Sequence, residues 1–306
     1  MPTNDYFYGT LSPIQAIPPQ TTMPSSPQKI TDAYAYCQQM VRSHYENFPV
    51  ASFILPKRLR QPISVIYAFA RTADDFADEG DWDAETRLTK LREYDEYLDA
   101  IANDEAIDNP IFIALADVIK KHDLPLQLFH DLITAFRLDV SKKRFTDIDD
   151  VWDYCRYSAN PVGRLLLHLM DAATAENLEH SDAVCSALQL INFLQDIEQD
   201  FVENQRIYLP QADLQRFGVN EEHFRTRRSD DAFAQLLQQQ IAYAREKMLF
   251  GKPLGRAVGG RFGFQLRLMI NGGLRVLELL ERQQGNLFSR PRLSKRDWLW
   301  MFLRAL

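Results

Sequence analysis

Two acidic segments, each set in an otherwise apolar helical stretch, constrain this chain most: Asp74-Asp75-Phe76-Ala77-Asp78-Glu79 and Asn192-Phe193-Leu194-Gln195-Asp196-Ile197-Glu198-Gln199-Asp200. Residues three, four, seven and eleven apart share one stripe of an α-helix, so Tyr67, Arg71, Asp74 and Asp78 fall on one face, and Gln189, Asn192, Asp196 and Asp200 on another. If the stripes meet across a helical bundle, four aspartates and Asn192 make a ring of oxygen ligands. Carboxylates drawn out of water and held together repel, so protons or cations must neutralise them. Hard divalent ions suit such a ring. Mg2+ is the leading expectation, because it takes oxygen ligands, keeps waters and is completed by substrate phosphates. No Cys and His grouping competes for a softer metal.

A plainer account makes the first segment a solvated helix end in which Arg71 pairs with Asp74 and Asp75. The C-terminal half of a helix already carries negative potential, so local stability does not explain the charges there. The second segment has no nearby lysine and lies among Leu188, Leu190, Ile191, Phe193, Leu194 and Ile197.

The 306 residues allow two domains by length, yet helical patterning runs from about Thr31 to the end without a long Gly, Ser or Pro linker. One all-α domain over 31–306 is expected. It follows a flexible tail, 1–30, whose Pro, Gln, Ser and Thr do not form a signal-peptide pattern. Helices are expected at 62–80, 84–102, 110–121, 125–140, 151–173, 181–203, 221–250 and 265–284, and strand signals are weak. Net charge of −7 argues against general nucleic-acid binding. Cys37, Cys155 and Cys185 fit no disulfide framework and read as thiols of a reducing compartment, so the expected location is cytoplasmic. No apolar run is long enough to span a bilayer. The ending Trp298-Leu299-Trp300-Met301-Phe302-Leu303, with Arg296 and Arg304 beside it, either packs on the body or touches the inner face of a membrane peripherally.

Further residues suit an anionic or cationic ligand. Tyr154 and Tyr157 share a helix face just before Pro161 and Gly163. That break is either structural or lines a site where aromatic rings attract a cationic intermediate. Arg206 is suited to grip a diphosphate, or to form a surface pair with Glu203. Arg290 and Arg292 either supply phosphate donors or decorate a turn. Lys252, Arg256 and Arg261, in a Gly-rich connection, either touch phosphate or merely link helices. His44 and His168 read as structural.

Taken in order and spacing, the segment from Tyr67 to Glu79, the segment Tyr154 to Gly163, and Gln189-Leu-Ile-Asn192 continuing to Asp200 resemble the squalene and phytoene synthase family of head-to-head prenyl synthases. The resemblance spans about Ala33 to Arg292. It implies a single-domain isoprenoid synthase bundle with a central cavity and a prenyl diphosphate substrate. It implies two or three Mg2+ ions held with the diphosphate, by Asp74 and Asp78 on one wall and Asn192, Asp196 and Asp200 on the other. Arg71, Arg206 and Arg292 would bind diphosphate, and Phe48, Tyr67, Tyr154 and Gln189 would meet substrate. Tyr157 matches the family's catalytic tyrosine, acting with Arg71 and the four aspartates.

Glu46-Asn47-Phe48-Pro49-Val50-Ala51-Ser52, Leu55-Pro56, Asp78-Glu79-Gly80 and the segment from Tyr157 to Gly163 look most like the bacterial hydroxysqualene synthase branch. That branch implies ionisation of presqualene diphosphate and capture by water in squalene and hopanoid biosynthesis, between a separate presqualene diphosphate synthase and a hydroxysqualene reductase. No Gly-x-Gly-x-x-Gly fingerprint is present, so NADPH is not expected. The alternatives are presqualene diphosphate, squalene or dehydrosqualene synthesis from two farnesyl diphosphates, and a non-catalytic assembly factor on the same fold. Arg275 stands where other members carry a tyrosine.

Overall fold

The computed structural model describes residues 27–43, 57–283, 290–291 and 293–306. Phe48, Arg292, His44 and the stretch Glu46 to Ser52 lie outside them, as do residues 1–26. Helix α1 (Pro27–Ser43) begins inside the expected tail.

Helix α2 (Lys57–Asp78) carries the first acidic segment on its last turns. It starts upstream of the expected Pro62, which sits inside the helix. Burial of Leu59, Pro62, Ile63 and Ile66 on one face offsets the backbone hydrogen bond that proline cannot donate. Gly80 follows with φ of 78°, the left-handed conformation that ends helices. Arg87 of α3 (Ala84–Ala102) donates to the carbonyls of Phe76 (3.2 Å), Glu79 (3.0 Å) and Gly80 (2.7 Å). A cation and three donors therefore satisfy the end of a helix that its own carboxylates would weaken.

Helices α4 (Pro110–His122) and α5 (Gln127–Ser141) join α1, α2 and α3 in an apolar cluster that also takes in Leu165, Leu167, Leu169, Leu254, Phe262 and Leu266 from later in the chain. At its centre Phe69 stacks on Tyr94 and meets Phe112 and Phe129 edge-on.

The expected helix 151–173 is two helices, α6 (Ile148–Ser158) and α7 (Asn160–Leu169). Pro161 thus lies in the first turn of a new helix, where its missing N–H costs nothing. Gly163 lets α7 close on α8 (Ala175–Gln195): a Cβ there would stand 2.4 Å from Ser181 Oγ and 2.6 Å from Cys185 Sγ. The expected helix 181–203 is likewise divided, at Asp196, into α8 and α9 (Ile197–Asn204).

A two-stranded parallel pair, β1 (Arg144–Phe145) and β2 (Ile207–Pro210), joins the end of α5 to the end of α9. After it come α10 (Gln211–Phe217), α11 (Glu221–Arg225), α12 (Asp231–Gly251), α13 (Leu254–Ala257), α14 (Gly260–Arg282) and α15 (Lys295–Ala305). The expected helix 221–250 is broken by the Asp230 cap, which accepts from Phe233 N at 3.0 Å.

Helices α6, α8, α12 and α14 form a second apolar cluster. The two acidic segments therefore sit on different clusters, α2 on the first and α8–α9 on the second. All three cysteines are free thiols, and burial pushes Cys37 and Cys155 up to about 12.

Candidate active site

Arg206 joins the two acidic walls. The left-handed Gln205 (φ 55°) ends α9, and the Arg206 N–H then bonds the Asp200 carbonyl at 3.0 Å. Pairing of β2 with β1 carries its guanidinium to α5 and α2. There Nη2 donates to Asp78 Oδ1 at 3.0 Å and to the Asp139 carbonyl at 2.6 Å, while Nη1 donates to Tyr208 Oη at 3.3 Å. The partner is Asp78, 128 residues away, rather than the neighbouring Glu203.

On the first wall, Arg71 pairs with Asp74 (3.2 Å), Asp75 (2.7 Å) and Glu79. The local pairing considered for the sequence is thus present. Burial works against the Arg71 charge, and Asp75, Asp74 and Glu79 more than offset it. Even so, the Asp74 carboxyl is raised to about 6, first by partial burial and then by Asp78.

On the second wall, the break at Asp196 is mild. Asp196 N donates to the Asn192 carbonyl at 2.9 Å, and Asp200 N to the Asp196 carbonyl at 2.8 Å, so the stripe bends without being lost. Burial raises Asp196, against the pull of Arg290. Burial and then Asp196 raise Asp200 to about 7, with Glu203 and Asp78 adding to the shift. Asp78 acting on Asp200 places the two walls within electrostatic reach of each other.

Arg290 Nε lies 3.1 Å from Asp196 Oδ1, and Gln195 Nε2 donates to the Pro291 carbonyl at 3.3 Å. Of the two arginines flagged near the C-terminus, Arg290 meets the site, and Arg292 lies outside the described residues.

Asp139 is the group that sequence reasoning missed. It accepts a hydrogen bond from Tyr154 Oη at 2.8 Å, and burial raises it to about 7. Asp78 and Asp74 push it in the same direction, while Tyr154 and Arg206 oppose them. Its sequence signal is one acid between Leu138 and Val140, with no second acid three, four or seven residues away. Tyr154 itself is buried in an aromatic wall with Phe145, Phe193 and Tyr208, the last two stacked 3.7 Å apart.

Tyr157 is half-buried. Its hydroxyl accepts from Arg156, whose guanidinium also covers the ring, so Tyr157 stands apart from the Tyr154 network. Tyr67 lies one turn before Arg71 and is half-buried, as is Gln189, whereas Asn192 is exposed. Arg275 is a structural anchor. It bonds Asp297 Oδ1 at 2.6 Å and Glu278, holding α14 to α15.

Among the described residues, no three carboxylate, imidazole or thiol side chains converge into a preformed metal cage. Asp196 Oδ1 is buried with the Arg290 guanidinium as its ion-pair partner and makes no hydrogen bond, and Asp74 and Asp200 hold protons to raised pH. Such a set fits Mg2+, which one or two carboxylates bind together with waters and phosphate oxygens, better than it fits a metal needing an all-protein cage.

An all-α bundle in which Arg206 ties together two carboxylate-bearing walls suits a diphosphate-bearing substrate held with divalent cations. The chain belongs to the squalene/phytoene synthase family, whose model matches residues 41–298. It is 35% identical over 237 residues to a hydroxysqualene synthase of Rhodopseudomonas palustris, covering 77% of this chain and 80% of that one. It is 34% identical over 191 residues to a phytoene synthase of Mycobacterium tuberculosis, 62% of each chain. A solved squalene synthase from Alicyclobacillus acidocaldarius superposes with a TM-score of 0.79 at 38% identity, over 85% of this chain and 97% of that one. The all-α, head-to-head prenyl synthase expected from the sequence is thus borne out. The relatives differ in product, so they establish the family and not the reaction.

Proposed function

We propose that this protein is a hydroxysqualene synthase on one domain spanning 31–306. It would ionise presqualene diphosphate, rearrange the resulting cation and capture it with water, giving hydroxysqualene and diphosphate. The observation carrying the reading is the 35% identity to a hydroxysqualene synthase over four-fifths of its length, with both acidic walls intact.

In this reading, two or three Mg2+ ions bound with the diphosphate by Asp74, Asp78, Asn192, Asp196 and Asp200 supply charge stabilisation for the departing group. Arg71 and Arg206 grip diphosphate oxygens with paired donors, and Arg292 is proposed to help. Arg206 is held by Asp139, Tyr208 and Asp78 before substrate arrives, so little reorganisation accompanies ionisation. Tyr67, Gln189 and Phe48 meet substrate around a central cavity. The rings of Tyr154, Phe193 and Tyr208 offer π-faces to a carbocation and exclude stray water. Tyr157 steers the cation or relays the proton released when water adds. Capture by water needs no hydride, so NADPH is not required.

A separate synthase would supply presqualene diphosphate, and a reductase would consume hydroxysqualene. No helix among the described residues is long and apolar enough to cross a membrane. The protein is proposed to act in the cytoplasm, in peripheral contact with the inner membrane face.

The 34% identity to a phytoene synthase keeps sibling condensations as the second reading. The test is to give purified protein and Mg2+ either presqualene diphosphate or farnesyl diphosphate. Turnover of the first alone supports the proposal; conversion of farnesyl diphosphate replaces it with a sibling activity. An assembly factor has no use for carboxylates held at raised pKa. The absence of any Mg2+-dependent thermal shift with a diphosphate analogue would nonetheless favour it.

A further inference from the structure

Charge is distributed unevenly along this acidic chain. Residues 245–306 carry 13 Lys and Arg against 4 Asp and Glu, which leaves the remainder strongly acidic. Four of those cations, Lys252, Arg256, Arg267 and Arg304, line one cavity of about 550 Å³ where the end of α12 and α13 meet α14 and α15. No carboxylate among the described residues pairs with any of the four. Arg267 is tied to the carbonyls of Ala305 (2.5 Å) and Gly255 (2.8 Å), and Arg304 lies over the Trp300 ring. Uncompensated cations around a cavity favour an anion there.

Beside this cavity α15 shows an apolar face. Its inner side buries Asp297, Met301 and Ala305 against α14, anchored by Arg275. On its outer side Trp298 is 46% exposed, Leu299 60% and Leu303 62%, with Phe302 and Leu306 in the same stripe. Leu249, exposed at the end of α12, lines the basic cavity itself. Apolar side chains next to unpaired cations match the boundary of an anionic bilayer, where phosphates lie above acyl chains.

We propose that this surface docks the protein on anionic phospholipid. A headgroup phosphate enters the cavity of Lys252, Arg256, Arg267 and Arg304, while Trp298, Leu299, Phe302 and Leu303 enter the acyl boundary. None of these residues belongs to the acidic walls, so the inference stands independently of the reaction assigned to them.

The test is co-sedimentation of the full chain with phosphatidylcholine vesicles, with and without phosphatidylglycerol. Binding is expected only with phosphatidylglycerol, with weakening as salt rises and a blue shift of tryptophan emission that Trp298→Phe diminishes. Lys252→Glu with Arg256→Glu should weaken binding by more than tenfold, since each basic side chain near an anionic surface contributes about 1 kcal/mol, roughly fivefold. Leu299→Glu with Leu303→Glu, both on the exposed face, should abolish it. All variants should keep turnover of detergent-dispersed substrate. No binding, or equal binding to neutral vesicles, overturns the proposal. It also falls if inorganic phosphate shifts the emission and vesicles do not. The same holds if the Leu299 and Leu303 changes dissociate a dimer of this chain without affecting sedimentation.

Discussion

Arg206 receives three acceptors from three separate elements, and no point charge can reproduce that arrangement. Arg206→Lys should therefore lower melting temperature and reduce kcat/KM, because an ammonium cannot serve Asp78, the Asp139 carbonyl and Tyr208 together. A lost buried hydrogen bond to a charged group costs about 1.5–3 kcal/mol, which thermal unfolding would register. The aspartates predict a different pattern. Asp74→Asn and Asp196→Asn should each cut turnover by at least about 100-fold, the scale for removing one charge-stabilising contact from a transition state. Neither should unfold the protein, since each change also relieves repulsion. Circular dichroism beside product assays separates the two effects, and unchanged turnover in both variants would sink the metal assignment. The acids were legible as helix stripes because 3.6-residue periodicity brings Asp74 to Asp78 and Asp196 to Asp200 without any tertiary knowledge. Asp139 and Tyr208 were not, since each reaches the site only through the packing of distant elements.

The raised carboxyls give the acidic elements a pH signature. Asp74, Asp139 and Asp200 keep their protons to about 6, 7 and 7 in the folded, metal-free chain. An unfolded Asp loses its proton near pH 4, so between about pH 4 and 7 the native state binds more protons than the unfolded state. Stability of the metal-free protein should therefore fall as pH rises through that window. Mg2+ should restore it increasingly toward pH 8, with protons released on binding. Melting temperatures with and without Mg2+ across that range check the sign, and a metal-free maximum above pH 7 would refute it. At the α7–α8 contact, Gly163→Ala should destabilise by about 1–3 kcal/mol, since its Cβ would overlap Ser181 and Cys185. Denaturant titration measures it. Element types were readable while several boundaries were not. Nothing at Asp196 breaks a helix by composition, so its bend is imposed by tertiary packing. Pro161 marked a real discontinuity but begins a helix. The parallel pair escaped notice because two and four residues are too few to show alternation.

At the scale of the whole molecule, two apolar clusters hold two acidic helices apart, and Arg206 spans the gap between them. That arrangement, with a family match over residues 41–298, accounts for a prenyl diphosphate enzyme. It leaves product identity to the shape and wetness of the interior, which motif residues shared across the family do not encode. The decisive measurement is mass spectrometry of the product made from presqualene diphosphate and Mg2+ in isotopically labelled water, without NADPH. Hydroxysqualene carrying one labelled oxygen is the predicted result. An unlabelled hydrocarbon, or no product until NADPH or farnesyl diphosphate is added, would contradict the account.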